Sequence, residues 1–125
     1  MPDRAWWKRA LDLIGVQAHR TEDLAPKYNQ DAAAAGRYIF VHNDSESPMD
    51  AVTAWLERSF DLHARDAATR MIGIHLHGFG VVGPFEPREA ERRMDLARRV
   101  AADLGLDKLV FSREAPVRAE SPRKD

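Results

Sequence analysis

Tyr38-Ile39-Phe40-Val41-His42 is a run of aromatic and β-branched residues, and it meets a helix start signal within five residues. Such a run reads as a strand. In Ser47-Pro48-Met49-Asp50, Ser47 is the expected cap, Pro48 suits the first helical position, and Asp50 is placed to reach back as in a capping box. The helix continues through Met49, Val52, Leu56 and Phe60, whose 3-4-4 spacing makes one apolar stripe. A strand, a polar bend and an amphipathic helix in immediate succession restrict the chain to folds in which helices cover a small sheet.

The remaining segments fit that restriction. A second helix is expected over about Ala64–His77, with Ala64, Ala67, Ala68, Met71 and His75 on one face and Gly78 as its stop. Gly80–Pro84 is a short strand candidate. Pro87 opens a third helix to about Leu104, with Ala90, Met94, Ala97, Ala101 and Leu104 in phase and Gly105 ending it. Leu109–Ser112 is the last strand. The order β-α-α-β-α-β predicts an α+β domain in which a three-stranded antiparallel sheet packs against three helices. Residues 37–115 form this expected core. Residues 1–36 read as an N-terminal extension: a short amphipathic helix over 4–14, with Trp6, Ala10, Leu13 and Ile14 on one face, then a polar, mobile linker that is partly helical at its Ala32–Ala35 run. Residues 116–125 are expected to be disordered.

Composition removes several functions. The chain has 19 Lys and Arg against 20 Asp and Glu, so no long-range field draws in nucleic acid or an anionic membrane. It has no cysteine, which excludes disulfides and thiolate chemistry. No apolar run approaches the ~20 residues that span a bilayer. Lys8, Arg9 and Asp12 interrupt any secretory apolar segment. A cytoplasmic, monomeric, single-domain protein without a cofactor is the expectation.

The chemistry is concentrated in two places. The bend Asn43–Ser47 sets an amide and a carboxylate at the rim of an apolar surface, and His75 brings an imidazole from another helix. Three acceptors around an apolar hole suit a charged amine attached to a hydrophobic side chain, as at a free protein N-terminus. Each residue also has a structural explanation. Asx residues form turns by bonding their own backbone, a histidine on an apolar helix face is commonly a core residue, and Met49 fits core as well as an adaptable pocket. His75-x-His77 suggests metal, but on a helix the two diverge by about 200°. His42 and His63 look incidental. Glycine-rich phosphate loops and Gly-x-Ser-x-Gly are missing, and a Ser-His-Asp set drawn from Ser45, Ser47, His75 and Asp44 has little weight.

These residues are also a family pattern. Asn43-Asp44-x-x-Ser47-Pro48-Met49 resembles the Asn-Asp-Asp-x-Thr-Pro-Met turn of the ClpS family, adaptors of the ATP-dependent Clp protease. Met71-Ile-Gly-Ile-His75-x-x-Gly78 is similar to the family's Met-x-x-Val-His-x-x-Gly segment. Val82-Gly83-x-Phe85 with Ala90-Glu91-x-Arg93 resembles its Gly-x-Tyr/Phe turn and Ala-Glu-x-Lys helix. Leu109–Glu114 resembles its final strand, with one residue inserted before Leu109. The likeness covers about Tyr38–Ala115.

The resemblance implies a non-enzymatic adaptor that binds N-degrons, chains beginning with Leu, Phe, Tyr or Trp, and hands them to a Clp unfoldase of the ClpA or ClpC type. It implies that Asn43, Asp44 and His75 hold the α-amine and that Met49 is the gatekeeper against β-branched first residues. Val52, Met71, Ile74 and Leu109 would line the side-chain hole, and Glu91 and Arg93 would face the unfoldase. Departures are Ser45 for the second Asp, Ser47 for Thr, Trp55 for a smaller aliphatic, and Arg88 at an acidic contact position beside Glu89. An inward Trp55 would shrink the hole. Competing readings are a general protein-interaction domain, laid out like the C-terminal domain of the ribosomal stalk protein but lacking a peptide pocket, and a small metal-dependent hydrolase. The first is decided by whether Asn43, Asp44 and His75 converge on a cavity, the second by whether His75 and His77 converge with a carboxylate.

Overall fold

The computed structural model describes residues 24–116. The helix expected over residues 4–14, with Trp6 and Trp7, lies outside the described residues, as do residues 117–125 of the expected tail. In chain order the elements are α1 (Gln30–Ala34), β1 (Ile39–His42), α2 (Met49–Phe60), α3 (Ala64–His77), β2 (Phe79–Val82), α4 (Pro87–Asp103) and β3 (Val110–Ser112).

The sheet order is β2-β1-β3. Central β1 pairs antiparallel with both neighbours, Val41 opposite Gly80 on one side and Phe111 on the other. The β-α-α-β-α-β order therefore holds, with the antiparallel sheet packed against α2, α3 and α4. Strand alternation divides β1 between two cores. Ile39 and Val41 pack with Val52, Trp55 and Leu56 of α2, Met71 and Ile74 of α3, and Ala97 and Val100 of α4. Tyr38 and Phe40 pack on the opposite side with Val81, Ala33, Tyr28 and Phe79. No described helix is long and apolar enough to cross a membrane.

Three local expectations are corrected. Residues 24–36 do not behave as the mobile linker their polarity suggested, because this segment covers the second face of the sheet. The Tyr28 ring meets Phe40 edge-on at 5.0 Å, and the Asn29 N–H donates to the Tyr38 hydroxyl at 3.1 Å. Ser47 does not cap α2: the N-cap is Pro48, with no side-chain cap bond, and the Asp50 carboxylate accepts the N–H of Ala51 instead of reaching back. Strand β2 starts and ends earlier than expected, since Pro84 has no N–H to continue the ladder.

Candidate functional site

The site forms where three elements end together. At the exit of β1 the Asn43 N–H donates to the Gly78 carbonyl at 2.9 Å. Gly78 terminates α3 in the left-handed conformation, φ 89°, and its own N–H donates to Ile74 O at 2.9 Å. Glycine takes that conformation at no steric cost, which is why the helix stops there. These bonds fasten the Asn43 bend to the last turn of α3, the turn that carries His75.

Asp44 then shapes the bend. Its Oδ1 accepts the N–H of Glu46 at 2.8 Å and of Ser47 at 2.6 Å, and its Oδ2 accepts the Ser47 hydroxyl at 2.8 Å. Partial burial pushes the carboxyl up. The bonds from the Ser47 hydroxyl, the Ser47 N–H and the Glu46 N–H outweigh that effect and hold it below its ordinary value. The turn-forming reading of Asp44 is therefore correct. Ser47 leads directly into α2, whose first residue is Met49.

Between the bend, α2, α3 and Leu109 lies a cavity of about 300 Å³. Asn43, Asp44 and His75 border it, as do Met49, Val52, Met71, Ile74 and Leu109. Val52, Met71 and Ile74 are buried, Met49 and Leu109 half-buried, and Asn43 and His75 exposed. Buried apolar residues and exposed polar ones thus border the same cavity. Ser45, Ser47 and His42 also border the cavity. The sequence reading left His42 aside, although its position next to Asn43 at the end of a strand was the available signal. His63 is exposed at the start of α3, outside this group.

Other candidates lie elsewhere. Trp55 does not border the cavity. It is fully buried, donates from Nε1 to Ala97 O at 2.9 Å, and packs edge-on against Phe60. Glu91 is exposed on α4. Arg93 is half-buried, paired with Glu89 at 2.8 Å and donating to Ser59 O at 3.2 Å. Hydrogen bonds from Arg92 and Arg93 also hold the Glu89 carboxyl low. Among the described residues there is no group of three or more His, Cys, Asp and Glu able to hold a metal ion. The Ser47 hydroxyl is committed to Asp44, so it is not poised as a nucleophile.

Comparison with known proteins bears on the same residues. The family model described as ATP-dependent Clp protease adaptor protein ClpS matches residues 36–111. An adapter protein ClpS from Phenylobacterium zucineum (strain HLK1) is 35% identical over 89 residues, which is 68% of this chain and 79% of that protein. One from Caulobacter sp. (strain K31) is 38% identical over 65 residues, 49% of this chain and 60% of its own length. One from Vibrio atlanticus (strain LGP32) is 34% identical over 73 residues, 58% of this chain and 69% of the relative. No solved structure matches. With the family model covering more than half of its residues, the chain belongs to the ClpS family of ATP-dependent Clp protease adaptors.

Proposed function

We propose that the cavity receives the first residue of a polypeptide, and that the protein thereby presents chains with bulky hydrophobic N-termini to a Clp unfoldase. The single observation that carries this reading is that one cavity joins Asn43, Asp44 and His75 to the apolar set of Met49, Val52, Met71, Ile74 and Leu109. A domain of this fold acting through a flat surface gives no reason for that combination.

A protonated α-amine has three donors and no acceptor, so removing it from water requires several acceptors. Asn43 offers a carbonyl, and the imidazole of His75 a ring nitrogen in its neutral form. Asp44 contributes differently. A carboxylate has about four lone-pair sites, and the bend uses three. The negative charge and about one remaining lone pair are what Asp44 has left for an ammonium group. Bonds to a charged partner contribute about 1.5–3 kcal/mol each, and burying a Leu or Phe side chain contributes about 1.5–3 kcal/mol more. An internal residue of a chain has no ammonium group and gains none of these charge-assisted bonds. Met49, half-buried at the edge, supplies a flexible wall. Glu91 and Arg93 on α4 are the residues proposed to meet the unfoldase.

The test is a titration with peptides beginning with Leu, Phe, Tyr or Trp, each with a free and an acetylated N-terminus. Free peptides should bind, and acetylation should abolish binding. Equal affinity for both forms would overturn the reading.

A further inference from the structure

Ile74 lies between two open volumes. One is the cavity of about 300 Å³ just described. The other, about 220 Å³, is bounded by α3, β2 and the segment Leu24–Lys27. Gly80 of β2 borders the second and not the first. It pairs with Val41, whose side chain packs in the helix-side core, so a side chain at 80 would also point toward the helices. Its Cβ would lie 2.5 Å from Cγ1 and 3.0 Å from Cδ1 of Ile74. Those two carbons occupy the space that any other residue at 80 would take.

Displacing them has a direction. Ile74 is 2% exposed, so its side chain moves only within the protein. Being β-branched on a helix, it has one strongly preferred χ1 and cannot simply rotate clear. The added methyl comes from the side of the smaller volume, which Gly80 borders, so the room away from it for the displaced atoms is the larger cavity. We infer that Gly80 is a positioning residue for the cavity. Its missing side chain lets Ile74 lie back against β2, and this keeps the cavity deep enough for an aromatic first residue. The inference rests on the proposed binding of a chain's first residue and identifies what sets the size limit on that residue.

The experiment uses the full chain, its Gly80→Ala and Ile74→Ala variants, and the double variant. Each is titrated with peptides that differ only in a first Trp, Phe or Leu, with acetylated controls and a melting curve. Gly80→Ala should weaken Trp- and Phe-first peptides about tenfold more than Leu-first ones, the scale of a methylene's misfit in an apolar pocket. In the Ile74→Ala background the same substitution should change that ratio by less than about twofold, because the effect passes through Ile74. An unchanged ratio in a folded Gly80→Ala variant overturns the inference, and so does a shift of the same size with Ala at 74. If Gly80→Ala does not fold, Ile74→Val decides. It shortens the side chain without touching β2 and should favour Trp-first over Leu-first peptides, and no change overturns the inference. Failure of the unaltered protein to prefer free over acetylated peptides is a different result, which removes the proposed function and this inference with it.

Discussion

Asp44 joins turn formation to the charge at the cavity mouth, and the two can be separated by one substitution. Asp44→Asn keeps an acceptor for the Glu46 and Ser47 N–H groups and loses the negative charge. Under the proposed function, affinity for free-amine peptides should fall about tenfold or more, the scale of one charge-assisted bond. Stability should fall by only about 1 kcal/mol, that of an ordinary hydrogen bond. The pH dependence has a definite sign. The folded carboxyl lies below its ordinary value, so the stability it adds is complete above the unfolded value of about 3.9 and is lost as pH falls through the folded value. Denaturant titrations at pH 7 and near pH 2.5 should therefore show wild type and variant converging in acid. A gap that stays constant would show that the carboxylate is not the source. The sequence made the turn legible because Asx chemistry is local. It misled about Ser47, because a carboxylate three residues earlier takes both the N–H and the hydroxyl that a cap would use.

Helices α2, α3 and α4 were legible as elements because each repeats its apolar residues over three turns or more, and Gly78 ended α3 where a left-handed glycine was expected. Segment 24–36 was legible only in the helical tendency of its alanines, which α1 bears out, since its other apolar residues show no period. The missed signal was in β1. Tyr38, Ile39, Phe40 and Val41 are apolar on both strand faces, and such a strand needs cover on both. That cover depends on Gly73 in α3, where an added Cβ would stand 2.7 Å from the Leu24 carbonyl oxygen. Gly73→Ala improves helix propensity by about 1 kcal/mol. It also forces backbone away from the helix, an overpacking that costs about 1–3 kcal/mol. The second effect should win, lowering stability by about 1 kcal/mol and lifting the segment. Hydrogen exchange should then accelerate at the Asn29 amide, which is bonded to Tyr38. A variant more stable than wild type, with exchange unchanged, would show that the segment contributes nothing there.

At the scale of the molecule, the cavity and helix α4 share no residue: the cavity is built by the bend after β1, α2, α3 and Leu109. An adaptor that holds a chain while docking on an unfoldase requires this separation. The two α4 residues proposed for docking differ in what else they do. Arg93 is tied to Glu89 and to the Ser59 carbonyl at the end of α2, so removing it disturbs helix packing as well as the surface. Glu91 is exposed, and its substitution reports on docking alone. Exposed changes of this kind alter stability by no more than about 0.5 kcal/mol. Glu91→Arg reverses a charge at the proposed contact while the cavity keeps its shape. Binding to the isolated N-terminal domain of a Clp unfoldase should weaken by about tenfold or more, since like-charge juxtaposition at an interface costs several kcal/mol. Affinity for a Phe-first peptide should stay within about twofold, since independent, distant sites do not couple. Calorimetry of the variant with each partner separates the two quantities. Unchanged affinity for the unfoldase domain would place the docking surface away from Glu91, and a parallel loss of peptide binding would mean that α4 and the cavity are energetically one site.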